Sequence, residues 1–433
     1  MIDVDEHLAR ILTTVRRLDP TRTALDRAQG CVLAEDLRSR VSLPGFDNSG
    51  MDGYAVLASD VADASPERPV VLPVDGDIAA GDTTRRRLRP GRTFRIMTGA
   101  PVPEGADAVV PVEQTDAGVE EVRIREGMPH GRHVRPQGED VGEGQVVLTA
   151  GTVLGPRQLA LAAAVGHGEA LVVPLPRVVV ISTGDELIEP GGVPGFGQVV
   201  DSNSPMLAAA ARELGVVASR VGGVADDPET VHTALRRQLS RVDAIITTGG
   251  VSMGAFDAVK EVLSTLGTVR FDRVAMQPGK PQGFGTLGDE AVPVFTLPGN
   301  PVSSLVSFEV FVAPALRVMA GRPAFEHGPV VAVADHDWNA PAAKIQFARV
   351  ALTSAEGEPP RVRLSGGQGS HFMGGLAEAD GLAIVPADVT RVEAGDEVLV
   401  LGLDGSPLRR RGASSGGVGW FGADAVARAG SGT

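Results

Sequence analysis

The chain has 433 residues, 43% of them hydrophobic, which is enough apolar material for ~2 to 4 packed domains. Forty basic residues against 54 acidic ones give a net charge of −14, which excludes a broadly basic surface for nucleic acid or anionic membrane. Only Lys260, Lys280 and Lys344 are lysines, so an anionic ligand would meet mostly guanidinium groups, which are shaped for bidentate oxyanion contacts.

The first residues, MIDVDEHLARIL, carry acidic groups where a signal peptide needs basic ones. Val4, Leu8, Ile11, Leu12 and Val15 share one helical face, and Pro20 limits that helix. A short segment from Ala24 to Leu37 is broken by Gly30 and holds Cys31. A lone cysteine excludes an internal disulfide and a cysteine zinc cluster, and it fits a reducing cytoplasm. The loop PGFDNSGMDGYAV, residues 44 to 56, then leads into a strand.

From Val70 to Leu154 short apolar runs alternate with Gly, Pro and Asp clusters, which predicts a β-rich domain. Its loops carry Thr98-Gly99-Ala100-Pro101 and Arg135-Pro136-Gln137-Gly138-Glu139-Asp140. His130 and His133 have a metal-like spacing, but neither cysteine nor an acidic residue in the same turn supports zinc there. A short helix is expected around Gln158 to Val165.

After Pro176 the pattern changes. Strands are predicted at 178–182, 216–221, 243–247, near 269–275 and at 292–297, with helices at 205–214, 229–241, 256–266 and 302–319. This alternation implies a mostly parallel sheet covered by helices on both faces. Ser204 before Pro205 and Asp227 before Pro228 read as helix starts, and Gly215 and Gly267 as stops. Beyond Gly328 five short β segments predict a small barrel or sandwich, and the Gly, Ser, Ala and Arg composition after Asp404 predicts an unpacked tail. The apolar run Phe308 to Met319 is interrupted by Glu309, Pro314 and Arg317, and no run reaches the ~20 residues of a membrane span.

Ligands of open parallel sheets bind beyond the carboxyl ends of the strands. Those ends carry Thr183-Gly184-Asp185-Glu186, then Asp226-Asp227, then Gly249-Gly250 followed by Ser252 and Asp257, and finally Pro298-Gly299-Asn300-Pro301. Glycine loops opening helices attract anions, whereas the carboxylates repel them. A magnesium ion reconciles the two, because it accepts carboxylate, phosphate and water oxygens together. Each carboxylate has a plainer reading as a cap or a solvated turn, and for Asp227 the cap is favoured. Gly249-Gly250 could equally be a tight turn that only packs strand on helix, and Lys280 in QPGKP an exposed turn residue. The loop after 243–247 has neither the P-loop nor the GxGxxG pattern, which leaves a standard nucleotide cradle without support. Gly250-Val251-Ser252-Met253-Gly254 does read GxSxG, but Ser252 has no neighbouring histidine in sequence, so a serine hydrolase has little support.

Seven ordered motifs now stand together: FDNSGMDGYAV, FRIMTGAPVPEGADAVVPVE, RPQGEDVGEGQVVLTAGTVL, VVVISTGDEL, DAIITTGGVSMGAFD, QPGKPQGFG and LPGNPVSSLVSFEVFV. From about residue 5 to 402 the chain resembles the molybdopterin molybdenumtransferase family, MoeA and the E domain of gephyrin. The resemblance implies a multidomain α/β plus β fold, with a central mostly parallel sheet of molybdopterin-binding type flanked by helices. An N-terminal helix (1–23) would pack on that α/β domain (177–328). A connecting domain (24–43 and 145–176), an inserted β-rich domain (44–144), a C-terminal small β-barrel-like domain (329–403) and the tail (404–433) would complete it.

The implied activity is insertion of molybdenum from molybdate into adenylylated molybdopterin, with magnesium and release of AMP. Glu186, Asp226 and Asp257 would form the acidic, metal-binding centre. Gly249, Gly250 and Ser252 would cradle the pterin phosphate, and Asp52, Thr98 and Asp140 would be the catalytic face of the β domain. Lys280, Pro298, Asn300 and Pro301 would border the molybdate and phosphate region, joined by Arg349 and Ser370 from the C-terminal domain. The family forms a homodimer whose cleft lies between the β domain of one subunit and the α/β domain of the other, and a molybdopterin adenylyltransferase supplies its substrate. A gephyrin-like scaffold and an adenylyltransferase are the competing readings, and neither a nucleic-acid nor a membrane partner is expected. Two residues depart from the family pattern: Gln277 stands where many relatives have lysine, leaving Arg273 as a possible substitute, and Gly50 stands where alanine is usual.

Overall fold

The computed structural model describes residues 1–250, 258–266, 268–354, 359–403 and 408. Ser252, Asp257 and Gly267, and the tail after Leu403 apart from Leu408, therefore lie outside the described residues. The chain divides into two compact units, one of residues 22–29 and 33–172, the other of residues 1–21, 30–32 and 173 onward.

The second of these units opens with helix α1 (Val4–Thr14), whose N-terminus is capped where the Asp3 carboxylate accepts from the Asp5 amide at 2.8 Å. Val4, Leu8 and Ile11 are fully buried, as their spacing predicts, and His7 joins them.

The β-rich unit is built on five strands, β1 (Gly53–Val56), β2 (Val70–Ile78), β3 (Thr93–Ile96), β4 (Ala108–Pro111) and β5 (Glu121–Ile124), in the order β4-β1-β3-β2-β5. All pairs are antiparallel except β2 with β3. Alternating residues of β1 feed two cores: Tyr54 and Val56 pack with Val110 and Ile124, while Ala55 packs with Phe94 and Val109. The buried Tyr54 hydroxyl donates to the Gly118 carbonyl at 2.8 Å, so its polar end is satisfied. Helix α2 (Pro156–Ala164) follows, with proline in its first turn.

The other unit is centred on a six-stranded sheet. In chain order its elements are β6 (Arg177–Thr183), α3 (Asn203–Glu213), β7 (Val217–Val224), α4 (Pro228–Gln238), β8 (Ala244–Thr248), α5 (Ala258–Leu266), β9 (Arg270–Arg273), β10 (Pro281–Leu287) and β11 (Val292–Leu297). The strand order is β7-β6-β8-β11-β10-β9, in which the first four are mutually parallel, β10 runs antiparallel to β11, and β9 antiparallel to β10. Both faces are buried, one on Val180, Ile246 and Phe295 and the other on Val179, Ile245 and Val294.

Two local expectations need correction. The segment after Lys280 continues as β10, a full strand hidden in the sequence by its glycines. A Cβ on Gly285 would stand 2.4 Å from the Val269 Cα, so close backbone approach, and not a loop, requires glycine there. Helix α3 also starts earlier than Ser204: Asp201 accepts from the Ser204 amide at 3.0 Å and from its hydroxyl at 2.5 Å.

After β11 come α6 (Pro301–Ser307), a π-helical turn (Phe308–Val312) and α7 (Ala313–Met319). This run is apolar and long enough to cross a bilayer, yet 89% of its most apolar window is buried in protein, as in a core helix. The chain then forms β12 (Val330–Ala334), β13 (Ile345–Leu352), β14 (Arg361–Leu364), β15 (Gly381–Val385) and β16 (Glu397–Gly402). The order β13-β14-β12-β16-β15 closes through pairing of β15 with β13, giving a five-stranded barrel filled by Ala332, Ala348, Val350, Val362, Ala383 and Val400.

Candidate active site

The carboxyl ends of β6, β7, β8 and β11 form one edge. Glu186, just past β6, is exposed, and its carboxylate folds over Gly184, where a Cβ would lie 2.5 Å from Oε2. Asp185 accepts from the Asp226 amide at 3.0 Å, which ties the end of β6 to that of β7. The neighbouring Asp227 caps α4 by accepting from the Thr230 amide at 3.0 Å. The Thr230 hydroxyl and amide hold its carboxyl below the usual carboxylate range.

Beyond β8 the chain turns through Gly249 and Gly250, at φ +93° and +70°. A Cβ on Gly249 would stand 2.8 Å from the Thr183 carbonyl, so only glycine lets the turn lie against β6. The Gly249 amide donates to the Leu297 carbonyl at 3.2 Å, and Gly299 faces Gly249 directly, since a Cβ on Gly299 would stand 3.6 Å from the Gly249 Cα. The glycine turn and the Pro298–Pro301 turn are therefore neighbours.

Arg349 and Ser370 join the second turn by a chain of contacts. Asn300 Nδ2 donates to Ser370 Oγ at 3.0 Å, and the Val302 amide to the Ser370 carbonyl at 3.1 Å. Arg349, only 1% exposed, donates through Nη1 to Gly369 O at 3.2 Å and through Nη2 to Gly367 O. Burial pulls its guanidinium pKa down, and the side chain holds the 366–370 loop that presents Ser370. Lys280 is half-buried, and its carbonyl accepts from the Val274 amide at 2.8 Å.

Buried hydroxyls collect at the same edge. Ser182 Oγ, Thr183 Oγ1 and Thr247 Oγ1, with Asn203 Oδ1, have no partner among the described residues. Buried polar atoms without a partner are uncommon in folded chains, and here they gather where the strands end. Among the described residues no three His, Cys, Asp or Glu side chains are grouped to hold a metal. The carboxylates at the β6 and β7 ends nevertheless suit magnesium, which binds through one or two carboxylates and keeps water and phosphate as its other ligands.

A second cluster lies within the β-rich unit. Asp52 Oδ1 accepts from the Thr98 amide at 2.6 Å and from its hydroxyl at 2.8 Å. The loop carrying Asp140 is bound to the same segment: the Asp140 amide donates to Leu43 O at 3.0 Å, and the Gln137 amide to Asp47 Oδ1 at 2.7 Å. Asp52, Thr98 and Asp140 are all exposed.

Sequence reasoning passed over Asn203, Thr248 and Ser304. The stretch DSNSP has the composition of a helix start, and that reading hid the side chain that bridges two turns. Gln368 was missed as well: its Oε1 accepts from the Arg349 amide at 3.0 Å.

A parallel-sheet ligand domain with glycine turns and carboxylates at its strand ends, carried with a β-rich unit and a closed barrel, is a multidomain binding enzyme of α/β type. Residues 2–166 match the MoeA N-terminal region (domain I and II), 179–318 a probable molybdopterin binding domain, and 331–403 the MoeA C-terminal region (domain IV). The chain is 45% identical to molybdopterin molybdenumtransferase 2 of Mycobacterium tuberculosis over 92% of its own length and 99% of the relative's. It is 34% identical to molybdopterin molybdenumtransferase of Bacillus subtilis over 92% and 94% of the two lengths. A crystal structure of the molybdopterin biosynthesis MoeA protein from Pyrococcus horikosii superposes with a TM-score of 0.75 at 32% identity, covering 94% of this chain and all of that one. The chain belongs to the MoeA family.

Proposed function

We propose that this chain is a molybdopterin molybdenumtransferase that inserts molybdenum from molybdate into adenylylated molybdopterin and releases AMP, in molybdenum cofactor biosynthesis. The observation that carries this reading is the joining of Gly249-Gly250 to the Pro298–Pro301 turn beside the carboxylates of Asp185, Glu186 and Asp226. Relatives bearing the molybdenumtransferase name over nine-tenths of the chain support it.

In this reading the Gly249-Gly250 turn, with Ser252, receives the pterin phosphate, and backbone amides there orient it. Asn300 and Pro301, with Ser370 on the loop braced by Arg349, border the molybdate. Glu186 and Asp226, together with Asp257, would hold magnesium, whose charge would polarise the phosphoanhydride whose cleavage releases AMP. Asp52 and Thr98, with Asp140, complete the site from a second subunit in a homodimer. The reaction runs in the cytoplasm, downstream of a molybdopterin adenylyltransferase.

A scaffold role and an adenylyltransferase role are less well supported, because neither accounts for the paired turns and the relatives' names together. The test is incubation with adenylylated molybdopterin, magnesium and molybdate. AMP appears only when all three are present; AMP that forms equally well without molybdate counts against the reading.

A further inference from the structure

Asn203, the first residue of α3, lies in a closed ring of hydrogen bonds. Its Nδ2 donates to the Gly299 carbonyl at 2.6 Å and to Thr248 Oγ1 at 2.8 Å. Thr248 Oγ1 is 3.2 Å from Ser304 Oγ, and Ser304 Oγ donates to the Pro298 carbonyl at 2.7 Å. Pro298 is bonded to Gly299, which returns the path to Asn203.

The directions of the bonds are mutually consistent. Ser304 commits its hydrogen to Pro298; Thr248 accepts from Asn203 and gives its own hydrogen to Ser304 at 3.2 Å, with the Pro298 carbonyl at 3.4 Å as a second acceptor. Each hydroxyl both donates and accepts, an arrangement in which neighbouring bonds strengthen one another. Thr248 and Ser304 are 2% and 0% exposed, so water does not compete for the bonds between their hydroxyls, whereas the Asn203–Gly299 bond lies at the exposed end of the ring. Thr248 is the last residue of β8, immediately before Gly249, and Ser304 lies in the first turn of α6, after Pro301.

We propose that Asn203 is a positioning residue for the molybdenum-insertion reaction: by donating to both Thr248 and Gly299, it fixes the glycine turn after β8 against the Pro298–Pro301 turn. It acts through these turns and needs both of its amide hydrogens. Aspartate has the same shape but no hydrogen to give, and would set a carboxylate oxygen against the Gly299 carbonyl.

The inference rests on the reaction proposed above, so its test pairs kinetics with a readout independent of turnover. Asn203→Asp, Thr248→Val and Thr248→Ser are compared for AMP release during a molybdate titration, for thermal unfolding, and for amide hydrogen exchange over residues 299–304. Asn203→Asp and Thr248→Val are expected to lower kcat/KM by about 10- to 100-fold per folded molecule, the scale of a small misplacement of reacting groups. They are also expected to speed exchange over 299–304 roughly tenfold, as loss of about 1.4 kcal/mol would do. Thr248→Ser keeps the hydroxyl and should stay within about threefold of wild type in both readouts. Kinetics and exchange that are unchanged in both disruptive variants would overturn the inference, and so would loss of the fold in both, which would make the ring a structural brace only. If wild type releases no AMP, the reaction reading fails, and the exchange data still decide whether Asn203 orders the turn.

Discussion

Asp52 accepts the amide and the hydroxyl of Thr98 on one carboxylate oxygen, at 2.6 and 2.8 Å, so the FDNSGMDGYA and TGAP loops share a single acceptor. The Thr98 amide, and after it the hydroxyl, hold the Asp52 carboxyl below the usual carboxylate range. The contact is therefore complete when Asp52 is ionised and is lost as pH falls through its lowered pKa.

Thr98→Val removes the hydroxyl and keeps the amide. The Asp52 pKa should rise toward the ordinary value without reaching it. Carboxyl-carbon NMR titration measures this, and an unmoved pKa would contradict the assigned cause.

His7 gives a pH dependence of another kind. It is 1% exposed, stands edge-on to Phe311 with ring centroids 4.8 Å apart, and has no partner for Nδ1 among the described residues. Burial lowers its pKa to about 4, with Asp272 opposing the shift and Arg10 adding to it. The unfolded chain binds the proton first, so stability is full above pH ~6.5 and declines as pH falls toward about 4, by about 3 kcal/mol at most. Urea unfolding at a series of pH values should show this decline in wild type and a shallower one in His7→Gln; identical slopes would contradict it.

The reach of the sequence follows from these sites. Helix α1 was legible because Val4, Leu8 and Ile11 repeat at helical spacing, and the carboxyl-end cluster because glycine and acidic residues follow apolar runs. Strand β10 was not, since Gly283 and Gly285 are selected by neighbours in space that the local pattern does not display. Asn203 was hidden for a related reason: its partners are 45 and 96 residues away, and a cap-like sequence offered a sufficient local explanation. Arg349 is placed at the border of the molybdate region by family resemblance alone. Nothing in the sequence signals that its two Nη atoms donate to the loop carbonyls of Gly369 and Gly367 while its buried Nε has no partner among the described residues.

Arg349→Lys tests that last point. Lysine keeps the charge but cannot serve two carbonyls in the geometry of the guanidinium fork. About 2 to 3 kcal/mol of stability should be lost, the scale of hydrogen bonds to a charged group. Hydrogen exchange at the Val302 amide, which donates to Ser370, should rise with it. Unchanged exchange there would dissociate Arg349 from the Ser370 loop.

Gly249→Ala places a Cβ 2.8 Å from the Thr183 carbonyl at a φ of +93°. The expected cost is about 1 to 3 kcal/mol, together with weaker binding of the pterin substrate. Equilibrium denaturation and substrate titration measure the two effects, and a variant as stable as wild type would show that the turn relaxes freely.

The central claim is coupling of AMP release to molybdenum insertion. Purified protein given adenylylated molybdopterin, magnesium and molybdate should release one AMP for each molybdenum atom that becomes bound to the pterin, counted in the same sample by chromatography and elemental analysis. AMP released with no molybdenum on the pterin, or molybdenum bound with the adenylyl group still attached, would contradict it.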